Sequence, residues 1–128
     1  MPYDDAAMRV SAYIDDASAE AKSAAWLERI RAGCAPRPHL VLDPRRAALL
    51  VVDMLVYFAH PDGRCFLPAA LPAASRIGEI LEVWRAARRP VVFTRHAHSG
   101  PEDLGMLGRF FSDHIRLGEP DAEIVDAL

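Results

Sequence analysis

Two short runs of branched apolar residues, with a helical pattern between them, constrain the fold of this 128-residue chain more than any other feature. The first run, AALLVVDML, occupies 47–55, and the second, PVVFTRH, occupies 90–96. Residues 69–89 lie between them and carry apolar side chains at the three-to-four spacing of an amphipathic helix. Almost continuous apolar strands are typical of parallel sheets that are covered on both faces. The pattern therefore predicts a β-α-β unit, and with it an α/β fold.

The segment before this unit predicts a helix over residues 17–32. Ser18 or Asp16 can cap its beginning, and Gly33 is a plausible stop. The narrow apolar stripe of this helix, which we expect to pack against another element, is formed by Trp26, Leu27 and Ile30.

Two strands alone do not complete an α/β domain. We assign residues 1–39 to an N-terminal helical extension and residues 40–128 to the domain, in which 104–116 and 120–128 predict two further helices. Sheets of this kind usually contain about five or six strands. We therefore expect the N-terminal part of a parallel-sheet, three-layer α/β/α domain of Rossmann-like type. A second copy of the chain in a homo-oligomer, or a second chain completing the sheet, would cover its open edge.

Composition excludes several classes of protein. The 15 basic and 18 acidic residues give a net charge of −3 and are spread evenly, so we expect no nucleic-acid partner. The strictly apolar stretches are far shorter than the roughly 20 residues of a membrane helix, so we expect no membrane association. The acidic start, MPYDDAAM, is unlike a signal peptide. Because two cysteines cannot form a disulfide framework, we predict a cytoplasmic protein.

Polar residues follow both predicted strands, where ligands bind in open parallel sheets. Asp53 ends the first run, and Thr94, Arg95 and His96 end the second, so we expect them to share one crevice. A carboxylate after four branched apolar residues is costly to bury unless it is paired, and it can act as a general base. Asp53 could instead cap a helix or pair with Arg95. Arg95 could hold a substrate carboxylate, or pair with Asp53 or Asp103.

Two alternating histidines, His96 and His98, have a spacing known from metal sites, and His60 could join them. No acidic or cysteine ligand at close spacing completes the set. We therefore predict no metal and no cofactor, and interpret His96 as polar lining of a pocket, with a metal-binding module as an alternative function.

Other candidates come from the loop after the first strand. Tyr57 and Phe58, together with Phe110 and Phe111 further along the chain, could form the wall of a pocket for a small-molecule substrate, although a core position is commoner for aromatic residues. Cys65 precedes the long helix, but its context lacks the sharp strand-to-helix turn that a nucleophile favours. Cys34, beside a proline-rich connector, is interpreted as inert.

The blocks RRAALLVVDMLVYF and RRPVVFTRHAHSGPEDLGMLGRFF resemble the isochorismatase-like cysteine hydrolases. In that family the first strand ends in Asp-Met-Gln and an aromatic-Phe pair follows. Here Asp53, Met54, Tyr57 and Phe58 match, and the resemblance covers about residues 40–128. Leu55 stands where the family usually has Gln.

The resemblance implies a six-stranded α/β sandwich and an Asp-Lys-Cys catalytic set that acts on a small amide; some members cleave a vinyl ether, as in isochorismate, without the Cys. Asp53 matches the base. Lys22 is in the wrong segment for the Lys, and neither Cys34 nor Cys65 matches the nucleophile. We therefore expect no activity unless a second polypeptide supplies the missing groups. A non-catalytic truncated chain, or an interaction subunit that associates through its sheet edge, is the alternative.

Overall fold

The computed structural model describes residues 13–35, 39, 41, 43–111 and 113–128. Its elements within these ranges are the helices α1 (Asp16–Gly33), α2 (Val56–Ala59), α3 (Ala70–Ala86) and α4 (Leu107–Phe110) and the strands β1 (Leu49–Val51) and β2 (Val91–Phe93). Single 3₁₀ turns cover Pro44–Arg46, Pro101–Asp103 and Pro120–Ala122. Among the described helices, none has both the length and the apolar composition required to cross a bilayer.

The predicted β-α-β unit is present, so the α/β class is confirmed. β1 and β2 pair in parallel with Leu49 opposite Val91, and α3 connects them and contacts both. Leu81 of α3 is fully buried, as the helical spacing predicts. After α3, Arg88 takes a left-handed φ of 53°, which ends the helix and turns the chain into β2.

The two faces of this sheet differ. Val51 is buried, on the side where α3 packs, whereas the paired residues Leu50 and Val92 are 57% and 49% exposed. Val52, one residue beyond β1, is also exposed. The prediction that both faces are covered is therefore wrong for the described part of the chain, because α3 covers one face and no described element covers the other.

A second apolar cluster lies beyond the ends of the strands. It consists of the buried residues Leu55, Ile115 and Ala122, against which Tyr57, Phe58, Ala97 and Ile124 pack. Leu55 forms an antiparallel bridge with Ile124. The Val56 N–H donates to the Glu123 carbonyl at 2.8 Å, and the Val125 N–H donates to the Met54 carbonyl at 3.0 Å.

These bridges overturn the predicted helix over 120–128. Only the 3₁₀ turn Pro120–Ala122 forms, and Glu123 is already extended. Backbone groups that a helix would use internally are instead paired with the segment after β1, so tertiary pairing outweighs local preference.

The predicted helix over 104–116 is likewise reduced to the four residues of α4. Gly105 has a φ of 50°, which interrupts the helical backbone before α4. After α4 the chain pairs with His98, whose N–H donates to the Ile115 carbonyl and whose carbonyl accepts from the Leu117 N–H, both at 2.9 Å. Residue 112 of this prediction lies outside the described residues.

The helix α1 forms as expected and ends at Gly33, but its details differ. Asp15, and neither Ser18 nor Asp16, is the N-cap. Leu27 and Ile30 are exposed, so the predicted packing of the apolar stripe is wrong for them. The helix contacts α3, its buried residue is Ala19, and its Trp26 stacks on Tyr13.

Candidate active site

Asp53 is held near the carboxyl end of β1 by Thr94, the residue that follows β2. The Thr94 hydroxyl donates to Asp53 Oδ1 at 2.7 Å, and the Asp53 N–H donates to Thr94 Oγ1 at 3.1 Å. The structure thus brings together two of the polar residues that follow the strands. Asp53 is half-buried, and its second carboxylate oxygen has no hydrogen-bond partner among the described residues.

The backbone at Asp53 is strained. Its φ of 51° lies in the left-handed region, which costs a non-glycine residue roughly 1–2 kcal/mol. Asp tolerates this conformation better than most residues because its short polar side chain can bond locally. The turn ends β1 and leads the chain away from the sheet.

Arg95 does not pair with either predicted carboxylate. Its guanidinium forms two bonds to Glu123, from Nη1 to Oε2 at 3.1 Å and from Nη2 to Oε1 at 2.9 Å. The suggested pairing of Arg95 with Asp53 or Asp103 is therefore wrong. The pair it does form is on the surface, next to the strand-like segment that contains Glu123.

Tyr57, Phe58 and His96, three of the predicted site residues, line one cavity of about 300 Å³. Asp53 and Arg95 lie outside the set of residues that line it. The cavity also contains residues that the sequence alone did not assign to a pocket, notably Asp113 and His114. Their segment becomes part of the site only because it pairs with the loop after β2, which no local sequence signal indicates.

Arg64 organises one wall of this cavity. Its guanidinium donates to Asp113 and Asp121, donates to the His114 carbonyl at 3.2 Å, and lies 5.3 Å from the centre of the Tyr57 ring. Burial, together with the negative charge of Asp113, raises the pKa of the Tyr57 phenol. Tyr57 therefore stays protonated at neutral pH and can donate a hydrogen bond.

Three side chains from the loop after β2 form a line of hydrogen bonds that ends at the cavity. His98 Nδ1 lies 3.0 Å from Asp103 Oδ1, and His98 Nε2 lies 3.0 Å from His96 Nε2. His98 is only 9% exposed. The Ser99 N–H and hydroxyl both donate to Asp103 Oδ2 and lower the pKa of that carboxyl, which is therefore ionised at neutral pH.

His60 does not join the other two histidines. Its Nδ1 accepts from the Asp62 N–H at 3.1 Å. In the part of the chain that the structure describes, no three His, Cys, Asp or Glu side chains are grouped so that they could hold a metal ion.

The two cysteines and the lysine that were considered for catalysis lie in different parts of the structure. Cys65 lines the cavity and Cys34 follows α1; both are free thiols and exposed. The Lys22 ammonium, on α1, donates to the Tyr13 carbonyl, which shortly precedes that helix.

A sequence model of the Isochorismatase domain matches residues 47–128, which include β1, β2 and the cavity. The chain belongs to the isochorismatase family. The match begins two residues before β1, so the β-α-β unit and the segment that pairs with it all lie inside the family region.

Individual members of the isochorismatase family are similar to this chain. Nicotinamidase 3 of Arabidopsis thaliana is 36% identical over 83 residues, which are 64% of this chain and 38% of that protein. The phenazine biosynthesis protein PhzD of Pseudomonas fluorescens is 35% identical over 89 residues, or 68% of this chain and 41% of that protein. The crystal structure of a cysteine hydrolase from Pseudomonas syringae pv. phaseolicola 1448A superimposes with a TM-score of 0.62 at 26% identity, covering 73% of this chain and 46% of that one.

These comparisons confirm the family resemblance and the α/β fold. The chain spans about two fifths of the length of the two curated relatives and slightly under half of the cysteine hydrolase.

Proposed function

We propose that this chain provides the general base, Asp53, of an isochorismatase-family hydrolase that acts on a small amide or an isochorismate-like substrate. One of the relatives is a nicotinamidase, whose name denotes an enzyme that acts on an amide. This likeness supports the amide over the vinyl ether as the first substrate class to test.

The observation that carries the proposal is the arrangement of the Asp53 carboxylate. Oδ1 is fixed by the Thr94 hydroxyl at 2.7 Å, while Oδ2 has no partner among the described residues. A base needs one oxygen that orients the group and a second that accepts the proton from the attacking thiol or water. The left-handed backbone at Asp53 also supports a functional role, because strained conformations concentrate at active sites.

The cavity lined by Tyr57, Phe58 and His96 is the proposed substrate pocket. Tyr57 and Phe58 contribute aromatic surface in an edge-to-face pair, and His96 contributes a polar group. Arg95 is proposed to hold a substrate carboxylate, for which the substrate would have to compete with Glu123 for the guanidinium.

Catalysis by this mechanism also requires a Lys and, for amides, a Cys nucleophile. Lys22 is bonded to Tyr13 in the extension, and the contexts of Cys34 and Cys65 do not match the family nucleophile. We propose that further polypeptide sequence supplies both groups and that residues 1–128 alone bind substrate without turning it over.

Nicotinamide is the probe for this proposal. Titration of the ¹⁵N-labelled chain should shift the amide signals of Tyr57, Phe58 and His96, which line the cavity. Asp53→Asn should weaken binding, because the proposed reaction requires the substrate to reach this carboxylate. Asp126→Asn, a change at an exposed residue, is the matched control and should bind as the wild type does.

Two outcomes would contradict the proposal. Saturating nicotinamide without shifts at Tyr57, Phe58 and His96 would exclude the cavity as the substrate pocket. Release of ammonia by the chain alone, at a rate that Asp53→Asn leaves unchanged, would exclude Asp53 as the base.

The alternative is a non-catalytic subunit that associates through its sheet. The exposed apolar face at Leu50, Val52 and Val92 favours this function, since single-sided sheets with apolar open faces associate readily. Light scattering distinguishes it, because it requires a homo-oligomer or a complex with a second chain.

Two further predictions accompany the proposal. Cys34 and Cys65 are free, which supports a reducing compartment such as the cytoplasm. The division into an extension over residues 1–39 and a domain over 40–128 is proposed from the family match, which begins at residue 47.

A further inference from the structure

The line of side chains from Asp103 through His98 to His96 determines where the imidazole protons lie. Asp103 is ionised, so its Oδ1 can only accept a hydrogen bond. His98 Nδ1, 3.0 Å away, must therefore carry a proton. In a neutral His98 ring the other nitrogen, Nε2, is then an acceptor.

The same reasoning extends to the next ring. His96 Nε2 lies 3.0 Å from the His98 acceptor and must be the donor of that bond. A neutral His96 then has a lone pair at Nδ1, which has no hydrogen-bond partner among the described residues. His98 is nine-tenths buried, and its backbone N–H and carbonyl are both bonded to residues 115–117, so the ring that imposes this order is well fixed.

We propose that Asp103 and His98 are positioning residues that make His96 Nδ1 the hydrogen-bond acceptor of the cavity, suited to an N–H or O–H group of a small ligand. A carboxylate that fixes a histidine tautomer through the other ring nitrogen is a general means of orienting imidazole. Here the effect passes through two rings. The inference rests on the proposed function only in treating the cavity as the ligand site, and it does not depend on Asp53.

The arrangement also allows proton transfer from the ligand. The ligand X–H bond breaks with its electron pair left on X, and a new N–H bond forms at His96 Nδ1. The proton on His96 Nε2 then passes to His98 Nε2, which places the positive charge beside the Asp103 carboxylate. The protonated His98 ring then forms an ion pair with the Asp103 carboxylate. His96 can therefore take up a proton without leaving an unpaired cation in the cavity.

The tautomers can be measured directly in the whole chain labelled with ¹⁵N-histidine. Long-range ¹H–¹⁵N spectra at about pH 8.5, well above the ordinary imidazole pKa of about 6.5, report which nitrogen of each neutral ring carries the proton. We expect the Nδ1–H form for His98 and the Nε2–H form for His96. The Nε2–H form at His98 in the wild-type chain would overturn the proposal, whatever the variants do.

Asp103→Asn tests the origin of the order, because a neutral amide can donate as well as accept and no longer demands a proton on His98 Nδ1. The expected result is loss of the single His98 tautomer. Ser99→Ala is the matched control: it removes the hydroxyl bond to Asp103 Oδ2 but leaves the bond between Oδ1 and His98, so both tautomers should persist. Unchanged tautomers in Asp103→Asn would contradict the proposal.

Two additional measurements distinguish the shared proton from a bound metal ion and from an effect of Asp53. Spectra with and without a chelator should coincide; a change on chelation would overturn the proposal, because a metal ion would then occupy the place of the shared proton. Asp53→Asn should leave both tautomers as in the wild type. In the wild-type chain, absence of nicotinamide binding together with the expected tautomers would count against the proposed function and not against this inference.

Discussion

Leu55 departs from the residue that the family resemblance expects at its position, and it has a structural role instead. The family resemblance places a Gln there, beside the site, but Leu55 is 0% exposed and packs with Ile115 and Ala122. Its bridge with Ile124 fixes the C-terminal segment against the chain that follows β1. Leu55 is therefore part of the core that positions the cavity and contributes no polar group to it.

We expect Leu55→Gln to lower the free energy of unfolding by about 2–4 kcal/mol, because the change loses apolar burial and places an amide where no described polar partner is available. Urea denaturation followed by circular dichroism measures this loss. The control is Leu117→Gln, at a residue that is 64% exposed, which should change stability by at most about 0.5 kcal/mol. Equal effects of the two substitutions would contradict the assignment of Leu55 to the core.

The contact between Asp53 and Thr94 is the part of the candidate site at which the sequence-based expectation and the structure agree. A carboxylate after a buried strand predicts a functional group at the sheet edge, and the bond from Thr94 to Asp53 joins the ends of both strands there. The partner of Arg95 could not be predicted in this way. Glu123 reaches Arg95 because its segment pairs with residues 54–56, a contact of long sequence separation that no periodicity records.

At the level of elements, predictions succeeded where one strong local pattern dominates. The helix α3 and the two strands follow from hydrophobic spacing, and α1 follows from its composition and its glycine stop. The prediction of a helix over 120–128 was wrong. Pro and Glu residues favour a helix start there, but the backbone after Ala122 is stabilised more by pairing with the segment around Leu55. Tertiary hydrogen bonds of this kind are invisible to a local window.

The N-terminus of α1 gives a pH-dependent prediction. The Ser18 hydroxyl and N–H donate to Asp15 Oδ1 at 2.6 and 2.9 Å and hold the pKa of that carboxyl below its ordinary value of 3.8. A lowered pKa in the folded state stabilises the helix above the unfolded value, and this contribution is lost as the pH falls through the folded value. We therefore expect the first turn of α1 to fray in acid, below about pH 3.8.

The measurement is the ¹³Cα chemical shift of residues 16–19 between about pH 7 and pH 2. Asp16 is a second carboxylate in the same turn, so the effect of Asp15 is obtained by difference from Asp15→Asn. Asn also caps helices but does not titrate, so this variant should retain the helix and lose most of the dependence on pH. The same acid transition in wild type and variant would show that the Asp15–Ser18 bonds do not set it.

For the molecule as a whole, the described core is small and divided. One part lies between the sheet and α3, and the other surrounds Leu55. Arg64, in the loop after α2, forms ion pairs with Asp113 and Asp121. These ion pairs, and not apolar packing, hold that wall of the cavity in place. Since surface ion pairs contribute little each, most stability must come from burial of apolar area, and the sheet leaves part of that area exposed.

The exposed sheet face therefore predicts association. Leu50, Val52 and Val92 form an apolar surface beside strand edges that have no other partner among the described residues. Covering this face would bury apolar area and raise stability by mass action. The melting temperature should therefore rise with protein concentration, and light scattering should give a mass above the 14.1 kDa of one chain.

Leu50→Glu should lower both the mass measured by light scattering and the dependence of the melting temperature on concentration, because a carboxylate in the covered face would lose its hydration. Val83→Glu, on an exposed position of α3, is the control and should leave both unchanged. A mass of 14.1 kDa at every concentration, with a constant melting temperature, would show that the purified chain leaves this face open to solvent.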